Sequence, residues 1–296
     1  MIKKDRLFNF CIHTVLILLT IFTLLPLSLM VISSFTDETA ILQNGYSFLP
    51  RQWSTQAYRY LRDQSDYIFN AVRISVLVTV IGTFCSLMIT CMLAYPLSRR
   101  DFPLRRPLSF FVFFTLLFNG GLVPTYLIYT QVFHIKDTFF GLIVPSLLMN
   151  GFTVILVRTF FMTNIPESII ESARIDGAGE FKIFFKIVMP LSLPILATVS
   201  LMSGLNYWND WYNGFIYITN TRLFSLQNIL NRMLQDVQFL QSNSSMGGSL
   251  AQEIAKIPTT TVRMAIAAVG ALPILVAYPF FQKYFVKGIV IGAVKG

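Results

Sequence analysis

The charged side chains that could form a polar site are concentrated in one segment, residues 158–190. Four basic and four acidic residues occur along it, namely Arg158, Arg174, Lys182 and Lys186 with Glu167, Glu171, Asp176 and Glu180. Opposite charges three residues apart on a helix can pair, so Glu171 is expected to pair with Arg174. The chemistry expected here is ion pairing outside the membrane, because this much charge does not enter lipid.

Residue types that serve catalysis or metal binding are scarce. His13 and His134 are the two histidines, too few for a metal cluster or a catalytic triad. Cys11, Cys85 and Cys91 fall in apolar runs and are interpreted as small core residues rather than ligands or a disulfide. No glycine-rich loop ending in Gly-Lys-Ser/Thr occurs. We therefore expect no catalytic residue, no metal site and no cofactor bound by this chain.

Six long uncharged runs surround the charged segment and predict six transmembrane helices. Of the 296 residues, 54% are hydrophobic and 12% charged, against about 25% charged in soluble domains. A helix needs roughly 20 apolar residues to cross the hydrocarbon core, and lipid leaves the backbone few alternatives. The runs cover residues 7–36, 74–98, 107–135, 138–157, 187–209 and 264–282. The predicted fold is all-α, a single transmembrane domain over residues 1–296.

The positions of Lys and Arg predict the orientation. With the N-terminus in the cytoplasm, most of the 23 basic residues lie inside, in short segments that flank spans. The net charge of +9 is therefore interpreted as a topology signal, not as nucleic-acid binding. We expect a multi-pass protein of the cytoplasmic membrane with both termini and residues 99–106 and 158–186 inside. Residues 35–69 and 214–262 are expected outside.

The charged segment predicts two short helices joined at a glycine. Pro166 and Glu167 suit the start of the first helix, and Gly177 supplies the left-handed conformation that ends it. The second helix ends at Pro190. Its apolar face, spaced i, i+3, i+4, i+7, consists of Phe181, Phe184, Phe185 and Val188. Periodicity alone leaves open whether this hairpin lies on the membrane surface or docks onto a partner protein.

Residue identities in this hairpin resemble the E-A-A loop of ABC importer permeases. The loop has the spacing E-A-A-x3-G-x9-I-x-L-P. This chain matches it at Glu171, Ala173, Gly177, Ile187 and Pro190, with Ser172 for the second Ala and Met189 for the Leu. In that family the loop docks into a groove of the ATPase subunit. The resemblance implies an ATPase-coupling loop over residues 163–190 that also includes Asp176, Ala178 and Phe181.

The resemblance covers most of the chain and narrows to the sugar (carbohydrate-uptake) permeases. Matching segments are residues 69–70, 94–99, 208–209, 282–288 and 292–296. Residues 119–126 further resemble a subgroup paired with importers of complex or uronate-containing oligosaccharides. This implies the type I importer permease fold, with a permease core over residues 70–285 and cytoplasmic coupling helices between spans four and five.

The resemblance also implies partners. These are a homologous second permease, two ATPase subunits that bind ATP and Mg, an extracytoplasmic sugar-binding protein, membrane lipid and an oligosaccharide imported by alternating access. A permease for another small solute is an alternative, because the E-A-A loop is shared among ABC importers. An ion-coupled carrier is disfavoured by the uncharged spans, and a structural membrane protein by the hairpin.

Candidate contacts with cargo lie in spans three to five. Asn119, Asn150 and Asn206 are expected near mid-depth, where their amides suit either sugar hydroxyls or a neighbouring helix. Gly204 belongs to a face of small residues that suits close helix packing or a transport route. Trp208 is expected at the outer interface, in an aromatic belt or stacked on sugar.

Two further segments carry partner contacts by resemblance. The loop residues Ser244, Ser245, Met246, Gly247 and Gly248 form a flexible linker or, as in the maltose importers, reach the sugar-binding protein. The tail residues Gly292, Lys295 and Gly296 form a disordered end or insert between the ATPase subunits. In the maltose importers the partner permease supplies nearly all sugar contacts, so this chain is expected to line the route with or without binding cargo.

Overall fold

The computed structural model describes residues 2–63, 65–242 and 259–293, and every regular element in those ranges is helical. The α-helices are α1 (Ile2–Ser34), α2 (Glu38–Asn44), α3 (Gln56–Asp63), α4 (Ser65–Ser98), α5 (Arg105–Leu117), α6 (Leu122–Leu127), α7 (Phe140–Ile143), α8 (Gly151–Asn164), α9 (Glu167–Ile175), α10 (Glu180–Ile183), α11 (Met189–Leu191), α12 (Leu193–Trp208), α13 (Tyr212–Tyr217), α14 (Leu226–Ser242) and α15 (Thr259–Ala293). Residues Ile128–Val132 and Phe184–Val188 are π-helical, and Thr221–Leu223 is a 3₁₀ turn. The prediction of an all-helical chain is confirmed over these ranges.

Length and composition identify two unbroken candidate spans in the described residues. They are Phe8–Ser34 within α1 and the whole of α4. Three pairs of helices are also apolar enough when each pair is counted as one bent span, which raises the number to at most five. The bends measure 117° between α5 and α6, 77° between α8 and α9, and 83° between α11 and α12.

The continuity predicted for three of the apolar runs is wrong. The run 107–135 breaks between α5 and α6, where Gly121 adopts φ 85°. The run 138–157 breaks between α7 and α8, where Ser146 adopts φ 63°. The run 187–209 bends at Ser192, between two prolines that cannot donate backbone hydrogen bonds. Apolar composition does not reveal such breaks, because glycine, serine and proline change hydropathy little over a long window.

One compact unit comprises residues 1–68 and 230–273. Residues 8–28 of α1 are exposed throughout. The end of α1 is fixed by a hydrogen bond between the Ser34 and Tyr58 hydroxyls, 2.8 Å apart. The Glu38 carboxylate accepts bonds of 2.9 and 2.8 Å from the backbone N–H groups of Thr260 and Thr261. These N–H groups belong to the first turn of α15, which has no intrahelical partner for them, so Glu38 caps that helix.

The second unit comprises residues 69–229 and 274–296 and contains a large apolar core. The core joins the second half of α4 to α8, to the segment 165–188 and to the first half of α12. Its most buried members are Cys91, Ala94, Val154, Val157, Ile183, Val188 and Val199. The charged segment is therefore attached to three span helices by close packing.

The break in the fourth apolar run is held by distant side chains. The Tyr207 hydroxyl donates to the carbonyl of Ile143 at 3.0 Å, and the Asn213 amide donates to the carbonyl of Pro145 at 2.9 Å. Both bonds are buried, and the bond from Tyr207 satisfies a carbonyl at the point where the helix is interrupted. The carbonyl of Pro145 also accepts from the Leu147 N–H at 2.8 Å. Tyr207 also lies against Gly82, where an added Cβ would come within 2.6 Å of its ring.

Candidate functional site: the coupling hairpin

The segment between α8 and α12 forms the predicted hairpin. Its first helix, α9, begins after Pro166, and its second begins with α10. Gly177 adopts φ 77°, as predicted for the residue that ends α9. The N–H of Ala178 donates to Ala173 O at 2.9 Å, and the N–H of Gly177 donates to Arg174 O at 3.0 Å. This pair of bonds is a Schellman motif, which closes the helix end with backbone groups alone.

The apolar face predicted for the second helix divides into two parts. Phe184 and Val188 are buried, whereas Phe181 is 74% exposed and Phe185 about half exposed. The chain also becomes π-helical at Phe184, from where the 3.6-residue repeat no longer applies. On α9, Ile170 and Ala173 are buried in the apolar core.

The turn of the hairpin exposes apolar side chains beside charged ones. Ile175 is 86% exposed and Phe181 is 74% exposed, and the neighbouring Glu171 and Asp176 are exposed as well. The acidic groups keep this region in water, where an exposed isoleucine and phenylalanine are unfavourable. Such a combination suits contact with another protein.

Arg174 is the charged centre of the hairpin, but not with the predicted partner. Its guanidinium contacts Asp101 Oδ2 at 2.7 Å and Glu180 Oε1 at 2.6 Å rather than pairing with Glu171. Asp101 lies in the turn after α4, and Glu180 is the first residue of α10. The expected pair between Glu171 and Arg174 does not form, because Arg174 at the end of α9 contacts two other carboxylates at once. A guanidinium group has several N–H donors in a fork and can bind both.

Tyr95 completes this group of contacts. Its hydroxyl donates to Glu180 Oε2 at 2.7 Å, so both oxygens of Glu180 have partners. Hydrogen bonding from Arg174 lowers the pKa of Asp101. Partial burial opposes ionisation of Glu180, but bonds from Tyr95 and Arg174 outweigh it and lower its pKa. Both carboxylates are therefore ionised at neutral pH.

No pattern in the sequence connects Tyr95 or Asp101 with the hairpin. Arg174 and Asp101 are 73 positions apart, and Tyr95 and Glu180 are 85 apart, so helix periodicity carries no signal for either pair. A cavity of about 400 Å³ adjoins them. It is lined by Met92, Tyr95, Pro96, Arg99, Asp101, Phe102, Pro103, Arg174, Glu180, Phe181 and Phe184.

The predicted cargo residues lie apart from this hairpin. Asn119 lies in the break between α5 and α6 and accepts from the Gly121 N–H at 2.8 Å. Asn150 is the N-cap of α8 and accepts from the N–H groups of Phe152 and Thr153 at 2.9 and 3.3 Å. Both side chains are exposed, and each uses its carbonyl oxygen to stabilise a helix break.

The remaining predicted residues are divided among several places. Asn206 is exposed on α12, and an added Cβ on Gly204 would lie 3.4 Å from the Thr83 hydroxyl, which indicates close helix packing. Trp208 is only 6% exposed, and its position at the outer interface stays a prediction. Residues 244–248, Lys295 and Gly296 lie outside the described residues, and Gly292 lies in α15.

These features agree with the family to which the chain belongs. Residues 86–291 match the family described as binding-protein-dependent transport system inner membrane component, and the chain is a member of it. It is therefore an integral inner-membrane permease subunit of an ABC importer with the type I permease fold. Such a subunit is not itself catalytic, since ATP is hydrolysed by separate subunits. An importer of this family also requires a partner permease and a binding protein.

Individual relatives extend over almost the full chain. The chain is 38% identical over 293 residues to the polygalacturonan/rhamnogalacturonan transport system permease protein YtcP of Bacillus subtilis (strain 168), covering 99% of this chain and 100% of that one. It is 34% identical to the protein LplC of the same organism, covering 99% and 97%. A chain in the crystal structure of a bacterial ABC transporter involved in the import of the acidic polysaccharide alginate superimposes with TM-score 0.78 at 27% identity, covering 95% of this chain and 98% of that one.

Proposed function

We propose that this chain carries oligosaccharides, specifically acidic ones, across the bacterial cytoplasmic membrane. The observation that supports this cargo is the 38% identity over the full length of a permease named for polygalacturonan and rhamnogalacturonan. Both names denote polymers that contain uronate, and the structurally similar importer is one for acidic alginate. Two relatives of the same cargo chemistry favour uronate-containing oligosaccharides over neutral ones.

The proposed importer contains this chain, a homologous second permease, two ATPase subunits and an extracytoplasmic sugar-binding protein. The ATPase subunits hold ATP and Mg, and this chain binds neither. Six spans cross the membrane with both termini in the cytoplasm. Residues 244–248 contact the binding protein, and the tail from Gly292 to Gly296 contacts the ATPases.

Coupling to ATP hydrolysis is assigned to residues 163–190. The turn at Gly177 docks into a groove of one ATPase subunit, with Glu171 and Phe181 at the contact. Exposed apolar side chains beside acidic ones support this assignment, because docking removes Ile175 and Phe181 from water. Closure of the ATPases then moves the hairpin and the spans packed on it, which opens the route alternately to each side.

A purified complex tests the composition and the cargo together. A tag on this chain is used to isolate the complex from its native membrane, and mass spectrometry identifies the co-purified subunits. Proteoliposomes containing the complex and its binding protein are then assayed for ATP-dependent uptake of trigalacturonate, with maltotriose as the neutral control. Uptake of maltotriose in preference to trigalacturonate would reject the acidic cargo.

Single-cysteine labelling tests the orientation. In a background without Cys11, Cys85 and Cys91, a cysteine at Lys182 should react with an impermeant maleimide only after the membrane is opened. A cysteine at Ser47 should react in intact cells, because residues 35–69 are placed outside. Labelling of position 182 from outside intact cells would contradict the proposed topology.

A further inference from the structure

The coupling hairpin is joined to the end of α4 by a chain of polar contacts. Arg174 reaches one oxygen of Asp101 at 2.7 Å and one of Glu180 at 2.6 Å. The other oxygen of Glu180 accepts from Tyr95 at 2.7 Å, and the other oxygen of Asp101 lies 3.4 Å from Arg99 Nε. Since Tyr95 lies in the last turn of α4 and Arg99 follows that helix directly, the chain of contacts begins and ends on span two.

Packing fixes the hairpin on its core side, where Ile183 and Phe184 share the apolar core with Leu97, but not on the cavity side. The rings of Tyr95 and Phe184 are in contact, with centroids 5.4 Å apart. Beside them, however, a cavity of about 400 Å³ separates the end of α4 from the start of α10. On the cavity side, the polar contacts therefore determine the distance between the end of α4 and the start of α10.

The exposure of these groups argues against a role in folding alone. The side chains of Arg174, Asp101 and Glu180 are 36%, 48% and 50% exposed. Ion pairs with that much contact with water contribute little to stability. A protein that covers the hairpin would exclude water from them, and the attraction between their charges would then increase.

We propose that Arg174, Asp101, Glu180 and Tyr95 form a bridge that makes the coupling hairpin and the cytoplasmic end of span two move as one body. This inference rests on the proposed docking of the hairpin onto an ATPase subunit. The four are positioning residues: they contact neither nucleotide nor cargo, and they transmit the displacement of α9 and α10 to α4. Docking strengthens the bridge, so α4 and the hairpin are most tightly connected when the ATPase subunit displaces the hairpin.

A distance measurement in the assembled importer tests the bridge directly. Spin labels are placed at Arg100→Cys, after α4, and at Ser168→Cys, on α9, in a complex without other reactive cysteines. Distances are measured without nucleotide and after trapping with ADP and vanadate. With the bridge intact the two distributions coincide, because both labels move together. In Arg174→Gln the distributions separate or broaden on trapping.

Transport coupling provides the second readout. Arg174→Gln should lower the amount of trigalacturonate imported per ATP by roughly two- to fivefold. Tyr95→Phe, which keeps the ring against Phe184 but removes one hydrogen bond, should have a smaller effect in the same direction. Arg106→Gln is the matched control, because it removes one exposed positive charge from the same side of the membrane and leaves the bridge intact.

Charge inversion separates positioning from mere loss of structure. The variant Asp101→Lys, Arg174→Glu, Glu180→Lys reverses the three charges, and Arg99→Gln is added because Arg99 lies 3.4 Å from residue 101 and would repel the new lysine. This fourfold variant should recover both the coincident distances and the coupling. The bridge is overturned if this variant recovers neither the coincident distances nor the amount of sugar imported per ATP. It is also overturned if Arg174→Gln behaves as the wild type in both measurements. The distance measurement requires nucleotide but no cargo. If the wild type does not import trigalacturonate, the proposed cargo is rejected, whereas the distance test of the bridge remains valid.

Discussion

The chain changes direction in the coupling hairpin and again inside the fourth apolar run, and the two breaks are built differently. At Gly177 the backbone closes its own helix end by the Schellman bonds, in water. Near Ser146 the carbonyls of Ile143 and Pro145 accept from side chains 64 and 68 residues away, and Pro145 accepts in addition from the Leu147 N–H. In water a break needs a suitable local residue, whereas in lipid it needs donors from another helix because no solvent can replace them.

The largest expected effect comes from the break in water. Gly177→Val places a β-branched residue at φ 77°, which costs about 1 kcal/mol or more. An added Cβ meets nothing within 4 Å, so the strain is in the backbone. ATP-dependent uptake per assembled complex should fall at least about fivefold. Gly177→Asn should retain more activity, because asparagine tolerates the left-handed region.

Gly179 offers the matched control for this prediction. It has φ −70°, and an added Cβ there also meets nothing within 4 Å. It is the N-cap of α10, a position that serine favours, so Gly179→Ser should leave uptake unchanged. Equal losses for the Gly177 and Gly179 variants would mean that backbone conformation is not the cause.

The break near Ser146 is tested at Tyr207. Tyr207→Phe removes the donor to Ile143 O and leaves a buried carbonyl unpaired, at a cost of about 1–3 kcal/mol. The midpoint of thermal unfolding of the purified complex should fall by at least about 2 °C. Tyr212→Phe is the control, since its ring is about half exposed and packs on Trp211. An unchanged midpoint for Tyr207→Phe would show that water reaches the carbonyl of Ile143.

A smaller effect is expected at Asn150, where cap and cargo roles can be separated. Asn150→Ala loses the N-cap of α8, and stability should fall by about 1 kcal/mol. Asn150→Ser keeps a capping oxygen but removes the amide N–H groups, so stability should be retained. If Asn150→Ser assembles normally but raises the half-saturating concentration for trigalacturonate uptake, the amide serves cargo. If it behaves as wild type, Asn150 is a cap alone.

The smallest effect is expected from pH. The pKa values of Asp101 and Glu180 are lowered. Their pairing with Arg174 is therefore fully present at any pH above the ordinary pKa of a carboxyl group, and it is lost only when the pH falls through the lowered pKa values. The ratio of trigalacturonate imported per ATP by the wild type to that imported by Arg174→Gln should therefore be constant between pH 6 and 8. A decline of that ratio towards pH 6 would require another titrating group in contact with Arg174.

Local chemistry explains what could be predicted from the sequence. Gly177 as a helix end and the start of α9 at Pro166 depend on residues within one turn, and the structure agrees with both. The helical fold and the family follow from hydropathy and from the spacing around Glu171. The ATPase-docking, cargo and tail assignments stay predictions.

What could not be predicted depends on contacts between distant residues. Hydropathy does not distinguish a continuous span from one broken near Ser146, because Tyr207 and Asn213 satisfy the break from another part of the chain. Residue type does not reveal that tertiary packing buries the side chain of Trp208. Helix spacing predicts Glu171 as the ion-pair partner of Arg174. In the structure Arg174 pairs with Asp101, a residue distant in sequence that the fold brings close.

The cap that Glu38 forms on α15 has a consequence for biosynthesis. Its partners at Thr260 and Thr261 follow 222 and 223 residues later in the chain. At 5–20 residues per second, translation leaves this carboxylate without them for roughly 10–45 s. During that time the first turn of α15 does not yet exist, so the segment after α1 cannot reach its final arrangement. A nascent chain interrupted before its last helix therefore lacks the N–H groups that Glu38 binds in the folded chain, and the segment after α1 lacks that attachment.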